Sequence, residues 1–447
     1  MGLGLLGRGV GDAVFLAENG ADIIVTDLKT EEELKESVEK LRRFTNVTFH
    51  VGGHDRADFQ DRDFILKGPT VPIDSPYLAE ARKNGVPIKM SASWFAEISG
   101  IPIVGVTGTR GKSTTTQLLY EIIKAAGLEV LLGGNVRGVS TLALLPNVTE
   151  NSIALMELDS WQLAGFGEIG LSPQVSVFTT FFPDHLNYYG SIHSTNAQDG
   201  EQGRATSLTT GKAMDAYLED KAQIFLNQKS DDTLIVSTQV APILKEKYGK
   251  KIISRVIVAD LTKFPKGWTL QIPGEHNKLN AMCAIEAARA LGIDDELSQK
   301  ALAEFKGMSG RLELVREVRG VKIYNDTTAT TPEATLAALH ALRQGSAQNL
   351  ILIMGGADKG LDMSTLTVEL SKCKKVLLLS GTGTDRIKIE LPDTMIYHSV
   401  SDALRAALAI ADAGDIVLFS PAFASFGMFK NEFDRGDQFV KLVQELQ

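Results

Sequence analysis

The chain has 447 residues, a formal net charge of −9, and 44% hydrophobic and 23% charged residues. This composition is typical of a globular protein, and the length favours about three domains. The acidic excess argues against a nucleic-acid surface, no apolar run approaches the roughly 18 residues of a membrane span, and the first residues lack a signal-peptide pattern. The two cysteines, Cys283 and Cys373, have no metal-ligand spacing, so we expect buried free thiols in a cytoplasmic protein.

Residues 1–92 alternate short apolar strands with helical segments. A G-x-G-x-x-G turn that contains Gly4 and Gly7 leads into a helix, and a strand over 21–25 follows and continues to Asp27. Glycines before a helix and an acidic residue after the next strand resemble a dinucleotide-binding half. The strand that normally precedes the glycines is missing, so we expect a domain without that strand or a chain that starts late.

The stretch I-P-I-V-G-V-T-G-T-R-G-K-S-T-T-T at 101–116 combines a β-branched strand, a glycine turn and the start of a helix. Backbone N–H groups in such a turn bind phosphates, a lysine reaches the β- and γ-phosphates, and a serine hydroxyl holds Mg²⁺. Lys112 and Ser113 are placed for these two roles. Only two residues separate Gly108 from Gly111, where the standard phosphate loop has four. The pattern predicts a binding site for a nucleoside triphosphate.

Two strand ends downstream carry groups that can serve a metal. An apolar run ends at Glu157, which is where a Mg²⁺ ligand for a neighbouring triphosphate is expected. Asp184 and His185 follow another apolar run, and this pair is either a solvated turn or a place where the histidine binds a metal or a phosphate. From its helical context alone, Lys221 is expected to be an exposed lysine.

The segment 192–213 is polar, contains glycines and has no apolar period, which predicts a mobile surface insertion. His193 within it is expected to be an exposed loop residue. Residues 307–447 again alternate strands and helices. The predicted strands there cover 321–324, 350–354, 375–379 and 415–419. Such alternation predicts an α/β fold with doubly wound, mostly parallel sheets.

Nine motifs, in order, resemble those of the Mur ligases, the ATP-dependent amide-forming family of peptidoglycan assembly. They are G-T-R-G-K-S-T at 108–114, G-G-N at 133–135, E-L-x-S-x-Q-L at 157–163, D-H-L at 184–186, G-E-H-N-x-x-N at 274–280, G-R-x-E at 310–313, N-D-x-x-A-T at 325–330, G-G-x-x-K-G at 355–360 and S-P-A-x-A-S at 420–425. The resemblance implies a Rossmann-like domain at 1–92 that binds a UDP-linked substrate. It also implies a central ATPase-like domain at 93–306 and a Rossmann-like domain at 307–447 that binds the amino acid and nucleotide.

The resemblance further implies a monomer that joins D-glutamate to UDP-N-acetylmuramoyl-L-alanine, using ATP and two Mg²⁺ ions, with no nucleic-acid or membrane partner. The implied catalytic residues are Lys112, His185 and Lys221, the last as a CO₂-derived carbamate. The implied metal ligands are Ser113, Glu157, His185 and Lys221. The implied ATP-binding residues are Gly108, Thr109, Gly111, Lys112, Ser113, Thr114, Asn277, Asn280, Arg311 and Asp326. The implied substrate contacts are Gly4, Gly7 and Asp27 for UDP, Asn135 and Gln162 for muramoyl-alanine, and Lys359, Ser425 and Phe426 for D-glutamate.

Some positions differ from the usual family pattern. Thr327 and Thr328 stand where Ser-Lys is usual, Asp159 replaces a serine, and Lys67 begins a Lys-Gly-Pro that replaces Ser-Pro-Gly. These differences affect the expected amino-acid selectivity more than the expected reaction. Two alternatives stay open: a sibling ligase of the Mur or folylpolyglutamate type with another amino acid, and a non-catalytic nucleotide-binding relative.

Overall fold

A computed structural model describes residues 1–5, 7–186, 188–189, 207–343 and 348–446, without the side chains of 207–210. Its contacts divide the chain into two compact units, Met1–Lys266 with Leu279–Ala301 and Gly267–Lys278 with Leu302–Gln447. The strands are β1 (Ile23–Asp27), β2 (Val47–Val51), β3 (Ile65–Leu66), β4 (Ile88–Lys89), β5 (Ile103–Thr107), β6 (Glu129–Gly134), β7 (Ser152–Glu157), β8 (Val175–Phe178), β9 (Thr233–Ser237), β10 (Arg255–Ala259), β11 (Glu313–Val318), β12 (Val321–Asn325), β13 (Leu350–Gly355), β14 (Lys375–Leu379), β15 (Ile396–Tyr397) and β16 (Ile416–Phe419). The α-helices are α1 (Arg8–Glu18), α2 (Lys35–Leu41), α3 (Pro76–Lys83), α4 (Ser91–Ser99), α5 (Lys112–Ala125), α6 (Ser160–Glu168), α7 (Ser207–Ala222), α8 (Ala241–Tyr248), α9 (Glu275–Ala290), α10 (Asp295–Glu304), α11 (Pro332–Leu342), α12 (Ser364–Leu370), α13 (Thr382–Lys388), α14 (Val400–Ile410) and α15 (Glu432–Gln444).

The first unit begins with two small parallel sheets, β1–β2 and β3–β4. The backbone of the first residues connects them. Gly2 donates its N–H to the Thr26 carbonyl at 2.9 Å, and Gly68 donates its N–H to the Met1 carbonyl at 2.8 Å. The first residues therefore bridge the two small sheets at the position where the glycine pattern lacks a strand.

A six-stranded parallel sheet forms the rest of the first unit, in the order β10-β9-β8-β5-β7-β6. All five residues of β5 are buried, as expected for a strand covered on both faces. The chain adds strands on both sides of β5, so the order in which strands are added reverses there. In α/β sheets, ligands bind at the carboxyl ends of the strands at such a point. The pairing of Val106 with Glu157 brings the ends of β5 and β7 to the same edge.

The second unit contains a six-stranded sheet in the order β11-β12-β16-β13-β14-β15. Its pairings are parallel except that β11 runs antiparallel to β12. The predicted strands β12, β13, β14 and β16 are present, whereas β11 was not predicted because its charged residues carry no clear apolar pattern. The predicted α/β class with mostly parallel sheets is confirmed. The domain boundaries at 92/93 and 306/307 remain predictions.

The predicted insertion at 192–213 is wrong in its last part. Helix α7 begins at Ser207, and Ala213 is buried in the core of the first unit with 1% of its surface exposed. The rest of the predicted insertion, including His193, lies outside the described residues. Both cysteines are buried free thiols, as predicted. No helix in the described part of the chain is long and apolar enough to cross a membrane.

Candidate functional site

The glycine turn between β5 and α5 has the strand–turn–helix arrangement that the sequence predicts for a phosphate loop. Gly108 and Gly111 both have positive φ, at 144° and 88°. A β-carbon on Gly108 would clash with the Thr179 hydroxyl, and one on Gly111 would clash with the Asn280 amide oxygen, so both positions require glycine. The N-cap residue of α5 is Gly111, which has no side chain to cap the first turn. The start of the helix therefore presents its N–H groups to an anion.

Two lysine side chains meet on this loop. Lys112 Nζ donates to the Gly108 carbonyl at 2.9 Å and the Thr109 carbonyl at 3.3 Å. Lys221 Nζ reaches the same Gly108 carbonyl from α7 at 3.1 Å, and the Thr107 hydroxyl at 3.4 Å. Lys221 is 1% exposed, so the exposed position expected from its local sequence is wrong.

The environment of this pair disfavours two full charges. Desolvation lowers the pKa of Lys112, against the opposing effect of Glu157. Burial lowers the pKa of Lys221 well below its usual value, and the charge of Lys112 lowers it further. The arrangement favours one charged ammonium beside one neutral amine.

Tyr217 joins this cluster and was not predicted from the sequence. Its hydroxyl lies 3.4 Å from the Thr109 hydroxyl, and its ring centroid lies 4.8 Å from Lys221 Nζ. It also packs edge-on against the His185 ring, at 5.9 Å between centroids. Tyr217 stands four residues before Lys221 on α7, which places the two on one helix face. That spacing was the only sequence signal for its role.

Glu157 and Ser113, the predicted oxygen ligands of Mg²⁺, lie next to the loop. Glu157 ends β7 with 6% of its surface exposed, and its carboxylate forms no hydrogen bond or ion pair with another described side chain. Ser113 is half-buried beside Lys112. A buried carboxylate that forms no direct ion pair fits Mg²⁺, which usually takes one or two carboxylates and completes its shell with phosphate oxygens. Within the described ranges, no three His, Cys, Asp or Glu side chains form a metal site alone.

His185 is held in an unusual backbone conformation at the same edge. Its φ is 54°, which is uncommon for a residue with a side chain. The Trp161 ring packs against the imidazole at 4.6 Å between centroids. Nε2 of His185 lies 3.7 Å from the Asp184 carboxylate, which also binds Arg110 at 3.0 Å. These contacts restrain the position of the ring, while 38% of the side chain stays accessible to a ligand.

The first-domain residues also come together. The Gly4 N–H donates to the Asp27 carboxylate at 3.2 Å. Gly7 is the N-cap residue of α1 with φ 84°, and it has no side chain to cap that helix. Arg8 donates a hydrogen bond to the Asn135 side-chain oxygen, a link between the glycine turn and the predicted muramoyl contact that the sequence did not indicate.

Gln162 is engaged within its own helix. Asp159 caps α6 by accepting the Gln162 N–H at 2.8 Å, and the Gln162 side-chain oxygen accepts the Asp159 N–H at 3.3 Å. This capping box gives the unexpected Asp159 a structural role. Gln162 is buried, so the cap fixes its position.

The predicted adenine contacts lie on α9. Asn280 is buried, and its backbone carbonyl accepts a hydrogen bond from the Thr115 hydroxyl of α5 at 3.5 Å. With the Gly111 contact described above, Asn280 lies against the phosphate loop. Asn277 is also buried, and its side-chain amide donates to the Pro273 carbonyl at 2.7 Å.

In the second unit, Asp326 lies at the end of β12. Its carboxylate accepts the Leu312 N–H at 3.1 Å and the Ser420 hydroxyl at 2.8 Å. Burial raises the pKa of Asp326 to about 7, and the nearby Arg311 opposes this rise. Arg311 itself is half-buried.

The predicted D-glutamate contacts are distributed around the strand ends of the second unit. Lys359 Nζ donates to the Thr330 hydroxyl at 3.1 Å. Ser425 is buried, whereas Phe426 is 67% exposed. Arg435, which was not predicted, is fully buried and donates to the Thr327 and Phe423 carbonyls at 2.8 and 3.2 Å.

The sequence matches three family models along its length. These describe a Mur ligase MurD-like N-terminal domain at residues 1–90, a Mur ligase middle domain at 106–198, and a Mur ligase glutamate ligase domain at 310–423. A UDP-N-acetylmuramoylalanine–D-glutamate ligase of Roseiflexus sp. (strain RS-1) is 36% identical over 99% of this chain and 97% of its own length. The ligase of the same name from Borreliella afzelii is 35% identical over 100% of this chain and 97% of its own length.

Solved structures share the fold at lower identity. UDP-N-acetylmuramate-alanine ligase MurC from Thermotoga maritima aligns with a TM-score of 0.62 and 19% identity, over 99% of this chain and 98% of that one. MurF ligase from the same organism, in complex with ADP, aligns with a TM-score of 0.59 and 18% identity, over 88% of this chain and 96% of that one.

Proposed function

This chain belongs to the Mur ligase family, and we propose that it is an ATP-dependent ligase that joins D-glutamate to UDP-N-acetylmuramoyl-L-alanine in the cytoplasm. The observation that carries this proposal is the phosphate loop, where Lys112 and Lys221 meet on the Gly108 carbonyl. The names of the full-length relatives support the choice of substrates. We propose that the enzyme acts as a monomer.

The reaction proceeds in two steps. The alanyl carboxylate attacks the γ-phosphorus of ATP, which gives an acyl phosphate and ADP. The amine of D-glutamate then attacks the acyl carbon, an amide forms and phosphate leaves. Because the carboxylate and the phosphates repel each other, the first step needs fixed positive charge, which Lys112 and the first turn of α5 provide. We propose Asn277, Asn280, Arg311 and Asp326 as further nucleotide-binding residues.

The residues beside the loop fit two Mg²⁺ ions. Ser113 and Glu157 would hold one, and His185 with a carbamylated Lys221 would hold the other. Bound Mg²⁺ supplies charge that neutralises the triphosphate and the developing acyl phosphate. The chain's own contribution is orientation, since Trp161 fixes the His185 ring at 4.6 Å.

Lys221 suits carbamylation because it is a buried amine with a lowered pKa. A neutral amine reacts with CO₂ to form a carbamate and releases one proton, which converts a cation into an oxygen ligand. The Lys112 ammonium, which shares the Gly108 carbonyl, would attract the resulting negative charge. Tyr217 supports the side chain through its ring.

The proposed substrate contacts come from the N-terminal, central and C-terminal parts of the chain. We place the UDP diphosphate at Gly4 and Gly7, with Asp27 near the uracil and the muramoyl-alanine at Asn135 and Gln162. D-Glutamate would lie at Lys359, Ser425 and Phe426. The exposed Phe426 ring offers an apolar surface to the methylene groups of the D-glutamate side chain.

Phosphate release with UDP-N-acetylmuramoyl-L-alanine, ATP and a panel of D-amino acids tests the proposal. We expect release that depends on both the nucleotide substrate and D-glutamate. If no amino acid stimulates release, the chain is not a ligase. If another amino acid is strongly preferred, the reaction type stands and the assigned specificity is wrong.

A further inference from the structure

A pocket of about 130 Å³ lies between the loop that follows β3 and the helices α6 and α7. Its lining includes the buried Lys67, the aromatic rings of Trp161 and Tyr188, and the carboxylates Glu168 and Glu219. Most of the wall is apolar or aromatic. None of the lining residues belongs to the nucleotide, metal or substrate contacts proposed above.

Lys67 is the buried charge of this pocket, with 6% of its surface exposed. Its ammonium forms no hydrogen bond or ion pair with any other group in the described part of the chain. Desolvation lowers the pKa of Lys67, and Glu168, Asp159 and Asp220 act against this from beyond ion-pair distance. A buried ammonium without an acceptor is costly, so its position calls for an oxygen ligand.

Trp161 forms part of the same wall. Its indole N–H is buried and has no acceptor among the described residues. The same ring packs on Tyr188 at 5.4 Å and on His185 at 4.6 Å, so it separates the pocket from the candidate metal ligand. The pocket wall therefore combines the unpaired Lys67 ammonium with an aromatic surface.

The carboxylates that line the pocket, unlike Lys67, are exposed or already hydrogen-bonded. Glu168 and Glu219 are exposed, and the half-buried Asp220 already accepts a hydrogen bond from the Tyr189 hydroxyl at 2.9 Å. Negative charge thus lies on exposed or already bonded side chains, whereas the Lys67 side chain is buried and unpaired. We propose that this pocket binds a small carboxylate of amino-acid size, whose oxygens accept hydrogen bonds from the Lys67 ammonium. The proposal does not depend on the ligase activity.

Three molecules of similar shape test the proposal on the full chain: propionate, L-alanine and propionamide. The chain carries three tryptophans, and labelling with 5-fluorotryptophan gives each a ¹⁹F resonance, with that of Trp161 identified by its loss in Trp161→Phe. We expect propionate and L-alanine to shift the Trp161 resonance saturably, and propionamide, which lacks the carboxylate, to leave it unchanged. Tighter binding of L-alanine would identify an amino acid as the ligand, and tighter binding of propionate a simple acid.

Lys67→Met is expected to weaken binding of the carboxylates at least tenfold, whereas Lys29→Met, which removes an exposed lysine, is expected to bind as the unmodified chain does. Equal affinity in a folded Lys67→Met variant would overturn the proposal. So would the absence of a saturable shift, or a propionamide affinity equal to that of propionate. The last comparison needs no variant, so the proposal stays testable if Lys67→Met does not fold.

Discussion

Lys112 and Lys221 place their side-chain nitrogens on the same carbonyl oxygen, that of Gly108, at 2.9 and 3.1 Å. The two lysines come from different helices, α5 and α7. Because two ammonium ions this close repel each other, one amine is favoured in its neutral form. The pair therefore combines a cation for phosphate with an amine that can be modified.

Lys112→Ala is expected to lower kcat for phosphate release by at least about 100-fold, because a charge that stabilises the transferring phosphoryl group is lost. The thermal midpoint should change little, since the hydrogen bonds of the lysine go to carbonyls of the loop. Lys124→Ala, an exposed change on the same helix, is the matched control. A variant with normal kcat would remove the phosphate loop from the mechanism.

Lys221→Ala should lose most activity and regain part of it in acetate, because a short carboxylate can occupy the freed space and present oxygens to Mg²⁺. Phosphate release measured with and without acetate checks this. Lys212→Ala, at an exposed position of α7, should be neither impaired nor rescued. Full activity of Lys221→Ala without acetate would contradict a catalytic role for the side chain.

Arg8→Ala is expected to raise KM for the UDP-linked substrate about 5- to 30-fold and to leave KM for ATP unchanged. The change removes a charged hydrogen bond to Asn135, worth about 1 to 2 kcal/mol, and a positive charge next to the glycine turn. Arg56→Ala, an exposed change in the same domain, serves as the control. Steady-state kinetics with each substrate varied separate the two KM values, and an equal rise in both would point to general destabilisation instead.

Asp326→Asn is expected to stabilise the fold at neutral pH. The pKa of Asp326 is raised from 3.8 to about 7, so between these values the folded protein holds a proton that the unfolded chain has released. The free energy of unfolding of the natural chain therefore falls as pH rises through this window. Asparagine can still accept the Leu312 N–H and can donate to Ser420.

We expect the variant's advantage in Tm to be a few degrees at pH 7.5 and smaller at pH 5. Calorimetry at both pH values measures it. An advantage that does not depend on pH would show that Asp326 is ionised in the folded protein throughout. Activity should fall in the variant if Asp326 contributes to the nucleotide site.

Local sequence was sufficient for the features that depend on neighbouring residues. The β-branched run, the two glycines and the Lys112–Ser113 pair predicted a strand, a turn and a helix, and all three are present. The carboxylate at the end of β7 was predicted in the same way, since an apolar run ending at Glu157 defines a strand and its end. Gly108 and Gly111 both have positive φ, a conformation that favours glycine, and this explains why the sequence alone indicates the turn.

Burial and charge environment were decided only by the tertiary structure. Lys221 has an ordinary helical sequence around it, and it is buried because α7 packs against the loop after β5. Likewise, the polar start of α7 gave no sign of a helix, whose stability comes from packing of Ala213 and Tyr217 in the core. Lys67 and Trp161 share a pocket although they lie far apart in the chain. Such properties depend on which elements meet, and local residue patterns carry no information about distant partners.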